Sequence, residues 1–322
     1  MLIAIRAEKH AVEGRGAGAE PLRGRVHSVF RHAVNFEMQT QRLVTLTLLP
    51  KPLSPQGIVV SREAFRDSAG QAPSSFLNPR GLLPFDVGEP IRLSAETLVS
   101  SRFVIDLTAG VAVDLRVRSC AVRGKIAEVL DRWLAETLLE RSLVAGLRGE
   151  TLFGSGRIAE LGEAIAELFF CDGDDRRTQI DRLGRSLERF VGLGEGLTPS
   201  GDDFIVGLLW SMATDKRLST ALLPIMRRAL IPRTTRTNFI SGQMLRYAGE
   251  AQFTEPLVRL ARADERTRLC AVFEDIAAFG HTSGLDTLCG LLSGLKISAP
   301  LINSFQKSAP TASNGIKAAD AA

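Results

Sequence analysis

The sequence has little of what builds metal or disulfide sites. Its four cysteines, Cys120, Cys171, Cys270 and Cys289, include no Cys-x-x-Cys pair, and its four histidines show no His-x-x-x-His spacing. Zinc ligation is thereby disfavoured, and no metal site is expected. Lysine is scarce too: seven of the 40 basic residues are lysine, leaving arginine to supply the rest, which a GC-rich genome explains as well as anion chemistry does. The net charge of +4 is spread along the chain, with no basic arm or tail, which argues against a dedicated nucleic-acid binder. The N-terminus lacks the charged start, apolar run and cleavage site of a secretory signal, and no 18-residue apolar run offers a bilayer span. A cytoplasmic protein with reduced thiols and no membrane partner is expected.

What is present is an ordinary globular composition, 45% hydrophobic and 24% charged over 322 residues, enough for two domains. Residues 6 to 24 are charged, small and glycine-rich, so residues 1–24 read as a loose leader. From Arg25 short runs rich in branched residues follow: Val26–Phe30, Leu43–Leu49, Gly57–Val60, Ile91–Leu93, Phe103–Leu107 and Val111–Leu115. Prolines and glycines separate them, which predicts a mostly antiparallel sheet or small barrel over residues 25–122. Near Gly124 the periodicity changes. Ile126, Val129, Leu130, Trp133, Leu134 and Leu138 recur at helical spacing. Similar patterns cover 157–170, 175–191, 203–214, 219–230, 235–248, 255–262, 265–279 and 286–295, so a nearly all-helical domain is expected over residues 123–300. The fold class is α+β. Residues 301–322 lack periodicity and read as a disordered tail.

One stretch organises the helical half: Gly192-Leu-Gly-Glu-Gly-Leu-Thr-Pro-Ser-Gly-Asp-Asp203, followed by an apolar run from Phe204 to Trp210. Its glycines allow sharp turns or close approach to a ligand, and Thr-Pro-Ser-Gly-Asp-Asp reads as a helix start. Such a junction collects backbone N–H groups and the positive end of a helix dipole, and can receive a phosphate or carboxylate. A capped turn beneath a core helix is the alternative. Ser200 or Asp202 is the expected cap.

The stretch has an echo. Pro199-Ser-Gly-Asp-Asp-Phe-Ile-Val-Gly-Leu-Leu209 and Thr282-Ser-Gly-Leu-Asp-Thr-Leu-Cys-Gly-Leu-Leu292 share Ser-Gly-x-Asp-x-x-x-Gly-Leu-Leu at an offset of 83 residues. Gly207 and Gly290 fall inside helices, where glycine costs about 1 kcal/mol relative to alanine, so close packing of another backbone is expected at both. Two similar helix starts facing one another are the reading; coincidence among common residues is the other.

Asp202 and Asp203 complement the dipole but repel a bound phosphate, so a counter-charge is needed. Arginine is favoured and Mg²⁺ is the alternative. The candidate arginines are Arg233 and Arg236, close to a helix start where Thr237 and Ser241 share a face. Guanidinium forks suit planar or tetrahedral anions; an exposed helix start with ordinary caps is the competing reading. Asp203 and Asp286 hold equivalent places in the echo, where one of them can accept N–H groups of a substrate amide. His281, beside Thr282-Ser283-Gly284, is the one histidine at a suspected site and a candidate for proton transfer. Neither Ser200 nor Ser283 stands in a Gly-x-Ser-x-Gly elbow, and the loop lacks the Lys-Ser/Thr ending of a nucleotide-binding P-loop.

The run Gly192–Leu209, Thr237 with Ser241 and Leu245, and Gly280-His-Thr-Ser-Gly-Leu-Asp286 resemble a bacterial family of which one branch is named the third subunit of oxamate carbamoyltransferase, from anaerobic allantoin catabolism. Glu195 departs from the proline expected there, and this added acid weakens simple anion affinity. The resemblance implies a part in carbamoyl transfer, oxalurate and phosphate giving oxamate and carbamoyl phosphate, in assembly with partner subunits and without a resident cofactor. It makes Asp203, Ser200, His281 and Asp286 the catalytic candidates. Gly194, Gly196, Thr198, Gly201, Asp202, Arg233, Arg236, Thr237, Ser241, Ser283 and Gly284 are the candidates for binding phosphate and the carbamoyl donor. A non-catalytic anion-binding or assembly subunit is the alternative, and homo-oligomerisation stays open.

Overall fold

A computed structural model describes residues 2–8, 20–61, 83–108, 110–140, 155–171, 175–263 and 268–308. Nine strands come first: β1 (Leu2–Glu8), β2 (Leu22–Val29), β3 (Ala33–Met38), β4 (Leu43–Leu48), β5 (Gly57–Val60), β6 (Pro90–Leu93), β7 (Thr97–Val99), β8 (Val104–Asp106) and β9 (Val111–Val113). They form one sheet in the order β5-β4-β3-β2-β6-β7-β8-β1-β9, and β5 also pairs with β1. The sheet therefore curls until its hydrogen-bonded order returns on itself, with β9 parallel to the end of β1. The interior is apolar, built on Val34, Phe36, Leu46, Leu98 and Ile105, with Phe85 set between Phe36 and Phe103 at 5.7 Å from each. In β5 the pleat divides the side chains: Ile58 and Val60 fill the sheet, whereas Val59 joins the helical core. A strand covered on both faces has no polar alternation, which explains the unbroken Gly-Ile-Val-Val run.

The helical half comprises α1 (Arg123–Glu140), α2 (Ser155–Phe170), α3 (Arg176–Glu188), α4 (Ser200–Ala213), α5 (Lys216–Ala221), α6 (Leu223–Leu230), a 3₁₀ turn (Ile231–Arg236), α7 (Phe239–Gly249), α8 (Glu255–Ala261), α9 (Leu269–Ala277) and α10 (Ser283–Ser308). At its centre lies α4, buried almost all round. Against it lies α10, and glycine lets the two backbones meet. A Cβ on Gly207 would sit 1.9 Å from the Thr287 carbonyl oxygen, and one on Gly290 would sit 1.9 Å from that of Phe204. Phe204 and Thr287 occupy the same place in the echo, so each helix presents the same glycine to the same position of the other. Further along, Gly294 takes the side chain of Ser211 at similarly close range. Contacts advance in the same direction on both helices, so α4 and α10 run parallel and begin together. Their far ends are joined by half-buried Arg123, which donates to the Ser211 carbonyl, to the Thr214 hydroxyl and, at 2.8 Å, to Ser298 Oγ. Burial lowers the pKa of that guanidinium.

Several expectations are corrected. Leu2–Glu8, expected within a loose stretch, is a paired strand; its place between β5 and β8 decides this, not its composition. Residues 9–19 lie outside the described residues. Strands β3 and β7 carry polar residues that hid them, Asn35 and Glu37 in β3 among them. Pro224 starts α6, dividing the 219–230 segment at Leu222. Pro232 and the Asn238 cap delay α7 to Phe239. Most of the tail's first turns are helix: α10 continues through Pro300 to Ser308. Pro300 is exposed, so water can satisfy the carbonyl its ring leaves unpaired, while Leu301 is buried. Residues 309–322 lie outside the described residues. The stretch Ser283–Ser304 is also long and apolar enough to cross a membrane by composition, contrary to expectation. In the fold it is the partner of α4, and 56% of its most apolar window is buried within the protein.

The two halves share a buried contact at Leu43 and Tyr247. Tyr247 Oη accepts from Leu43 N at 3.1 Å and donates to Leu43 O at 2.6 Å, with Ile240 packed beside them. Burial pushes the Tyr247 phenol pKa upward. The linker continues the join through Val117 N to Ala251 O and Phe253 N to Leu115 O.

A methyl group at the helix crossing has backbone on the other side and nowhere to go. Gly207→Ala and Gly290→Ala are each expected to destabilise by about 3 kcal/mol or more in urea unfolding. Gly156→Ala in α2, where an added Cβ meets nothing within 4 Å, is expected to be neutral or slightly stabilising.

Candidate functional site

The parallel packing of α4 and α10 brings both Ser-Gly-x-Asp turns to one place, as their echo predicts. They interlock reciprocally. The hydroxyl of Ser283, from the second turn, acts on Asp203 of the first; that of Ser200, from the first, acts on Asp286 of the second. Thr198 and Thr282 add a hydroxyl to Asp203 and Asp286 respectively, and Thr198 Oγ1 and Ser283 Oγ lie 2.8 Å apart. One carboxyl oxygen of each acid, Oδ2 of Asp203 and Oδ2 of Asp286, is buried without a hydrogen-bond partner.

This enclosure changes the acids. Burial pushes the Asp203 carboxyl from 3.8 up to about 8, opposed by the Ser283 and Thr198 hydroxyls and reinforced by the nearby charges of Asp286 and Asp202. Burial also raises the Asp286 pKa, with Ser200 and Thr282 opposing it. Two acids crowded in a low-dielectric setting favour a shared proton over two charges. A raised pKa lets Asp203 keep its proton well above the usual carboxylate range, so the pair can present an O–H donor alongside acceptor oxygens.

Asp202 has a different task. It is 1% exposed, and its carboxylate accepts from Gly192 N at 2.9 Å, from Ser241 Oγ at 2.7 Å and from Thr237 Oγ1. The side chain thus ties the Gly-rich loop to the start of α7. Thr237 and Ser241 do share a face, as their spacing predicts, and that face is spent on Asp202. The expected cap is also different. Pro199 occupies the N-cap position of α4 without a side-chain bond, and Ser200 faces Asp286 instead.

The expected counter-charge and the N–H cradle both meet competing partners within the chain. Gly201 N donates to the Leu193 carbonyl, and Asp202 N and Asp203 N donate to that of Pro199, so these three groups are closed to an anion. Arg233 and Arg236 pair with Glu188 of α3. Arg233 lies so close to Gly184 that a Cβ there would come 2.4 Å from the guanidinium carbon. Hydroxyls and backbone N–H, with protonation, balance the acids. Around this centre Gly192, Gly194 and Gly196 have positive φ values of 74°, 104° and 99°, which only glycine adopts without strain, and residues 194–197 are exposed. Gly201 and Gly284 lie against the carbonyls of Phe190 and Ile276, allowing each turn to seat tightly. His281 is exposed beside the second turn. Among the described residues no third His, Cys, Asp or Glu joins Asp203 and Asp286 as a metal-ligand set.

The sequence reading missed Thr282, whose adjacency to Ser283 was its only signal. It also missed a cleft of about 750 Å³ on the other side of α7, whose walls include Arg42, Arg227, Arg228 and Arg246. Those arginines are scattered over 200 positions, and only the Arg227-Arg228 doublet is visible locally.

The Asp202 tie satisfies three donors at once, and its removal leaves them buried. Asp202→Ala is expected to cost about 3 kcal/mol or more in denaturant unfolding, and Ser241→Ala about 1 kcal/mol. In the double variant the two losses should fall short of their sum, which a double-mutant cycle reads directly.

Comparison with known proteins follows the same division of the chain. Residues 4–112 match the model of the AllH family N-terminal domain, covering the curled sheet. Residues 190–295 match the model of oxamate carbamoyltransferase subunit AllH, covering the loop, both Ser-Gly-x-Asp turns and the Asp202 tie. No solved structure matches the chain. With the two matches spanning both halves of the fold and the whole acid-pair centre, the chain belongs to the family of oxamate carbamoyltransferase subunit AllH.

Proposed function

We propose that this protein works as a subunit of a cytoplasmic carbamoyltransferase in allantoin and purine breakdown, and that the Asp203–Asp286 pair is where the carbamoyl group is handled. The observation that carries this reading is the pair of buried, unpartnered carboxyl oxygens, one from each helix start. A ureido group presents N–H donors and a carbonyl acceptor. An acid pair with one proton presents the complementary acceptors and donor, and a buried donor or acceptor left unmatched disfavours analogues that lack these groups.

In the proposed reaction, a phosphate oxygen attacks the ureido carbonyl of oxalurate, forming the new C–O bond. The C–N bond to oxamate then breaks, its electron pair staying on nitrogen, and that nitrogen needs a proton to leave. Asp203, protonated near neutral pH, is the proposed donor and ends as a carboxylate. Asp286 orients the amide by accepting its N–H. Ser200, Ser283 and Thr198 position the two carboxyls, and exposed His281 returns the proton from solvent. The glycines of the exposed loop, Gly194 and Gly196, let the chain close over the donor. Phosphate and the oxamate leaving group are anions, and partner subunits complete their binding.

The test is a reconstitution of the purified protein with its partner subunits, supplied with oxalurate and phosphate and assayed for carbamoyl phosphate. Asp203→Asn should lower kcat by about 100-fold or more while leaving the assembly intact by size-exclusion chromatography. Full activity in the Asp203→Asn and Asp286→Asn variants would place the chemistry in a partner and leave this chain an assembly subunit. Because the acid form is required, kcat should fall as pH rises through about 8.

Stability gives an independent check. The folded pKa of Asp203 lies above its unfolded value of 3.8, so the native state holds a proton that the unfolded state releases. Stability attributable to this group is complete below 3.8 and is lost progressively as pH rises to about 8. Asp203→Asn, which cannot ionise, should therefore gain in melting temperature relative to the parent as pH goes from 5 to 8. A pH-independent difference would show that Asp203 is not held protonated.

A further inference from the structure

The acid pair is poorly suited to holding anions, yet the opposite side of α7 is suited to little else. A cleft of about 750 Å³ opens between the β3–β4 hairpin and the segment from α6 to α7. That volume lies in the ~300–1,000 Å³ range of small-molecule sites. Arg42 from the hairpin and Arg227, Arg228 and Arg246 from the helices line it. Two carboxylates also line it, but Glu37 is engaged by Arg25 at 2.7 Å, leaving Glu250 to serve the arginines. Glu250 meets Arg227 at 2.8 Å and Arg42 at 3.4 Å. Arg246 contacts the neutral hydroxyl of Thr234 at 3.3 Å, and Arg228 has no carboxylate partner among the described residues. Guanidinium groups gathered in a concavity repel one another unless something negative joins them, and their donor forks fit two oxygens of one anion.

We propose that this cleft binds a small molecule bearing a phosphate or carboxylate group, with Arg228 and Arg246 as the principal contacts. The site spans the seam between the sheet and the helical half. It also adjoins the Gly-rich loop. Asn238, in the cleft wall, caps α7 through Ser241 N and donates from Nδ2 to the Leu197 carbonyl at 2.9 Å, while Thr237, also in the wall, holds Asp202. An anion in the cleft therefore lies one residue's width from the tie that positions the loop. This inference goes beyond the acid-pair reading and does not depend on it.

Calorimetric titration of the full chain with inorganic phosphate, and separately with oxalate, at constant ionic strength set by chloride, tests it. Saturable binding is expected for at least one of the two, phosphate identifying a phosphoryl ligand and oxalate a carboxylate one. The Arg228→Gln/Arg246→Gln variant should weaken that binding about tenfold or more, since charge-assisted contacts are lost. Asp203→Asn should leave it within about twofold. If the double variant loses its cooperative thermal unfolding, Arg228→Gln alone and Arg246→Lys, which keeps the charge but not the fork, serve in its place, with weakening again expected. Absence of saturable binding by the parent chain, unchanged affinity in the arginine variants, or loss of binding in Asp203→Asn alone would each overturn the proposal. The last result would move the anion to the acid pair, whereas failure of carbamoyl transfer in Asp203→Asn bears only on the catalytic reading.

Discussion

Two helix backbones meet where glycine removes the Cβ, at Gly207 against Thr287 and at Gly290 against Phe204. Much else follows from it. Helix pairs usually sit 8–10 Å apart because side chains hold them there; removing the Cβ at a repeated position lets α4 and α10 come closer. Since both helices use the same residue in the same register, contact at one glycine enforces contact at the other. The arrangement places two similar turns at one end and leaves Arg123 to fasten the other. Glycine's intrinsic cost within a helix, about 1 kcal/mol, is offset by the extended burial it permits.

The same symmetry explains how the fold tolerates two half-buried acids, each with one carboxyl oxygen out of contact with solvent. Each aspartate finds its hydroxyl partner on the opposite helix, so neither turn is complete alone. The echo is imperfect in an informative way. Where the first turn has Asp202, the second has Leu285. Asp202 reaches outward to Thr237, Ser241 and Gly192, whereas Leu285 packs in the core. One turn is thus anchored by hydrogen bonds and the other by apolar contact. The symmetric positions make the acid pair, and the asymmetric position connects that pair to the loop and, through α7, to the seam with the sheet.

Charge is sorted by region. Glu188 takes Arg233 and Arg236, and the acid pair is left to hydroxyls, backbone and protonation. The arginine surplus collects instead across α7, where the sheet contributes Arg42. Segregating acids from guanidinium groups keeps the Asp203 pKa high, because an arginine beside it would stabilise its charged form and pull it down.

The sequence by itself determined the division into a β-rich half and a helical half and the position of most elements, and it showed the echo of the two Ser-Gly-x-Asp turns. These are local properties: residue type, period and an 83-residue echo are written along the chain. Gly207 and Gly290 announced a close approach because glycine inside a helix is otherwise unfavourable. Tertiary structure alone decided what each polar group would meet. Asp202 and Asp203 are neighbours in sequence, but successive helix positions point about 100° apart, so one faces α7 and the other α10. One became a satisfied tie and the other a carboxyl whose pKa burial raises. Arg233 and Arg236 likewise had no partner legible nearby until α3 supplied Glu188. Leu2–Glu8 became a strand only because β5, β8 and β9 offered it unpaired edges. Burial and partnership are relations between distant segments, and a carboxylate's chemistry depends on them more than on its neighbours in the chain.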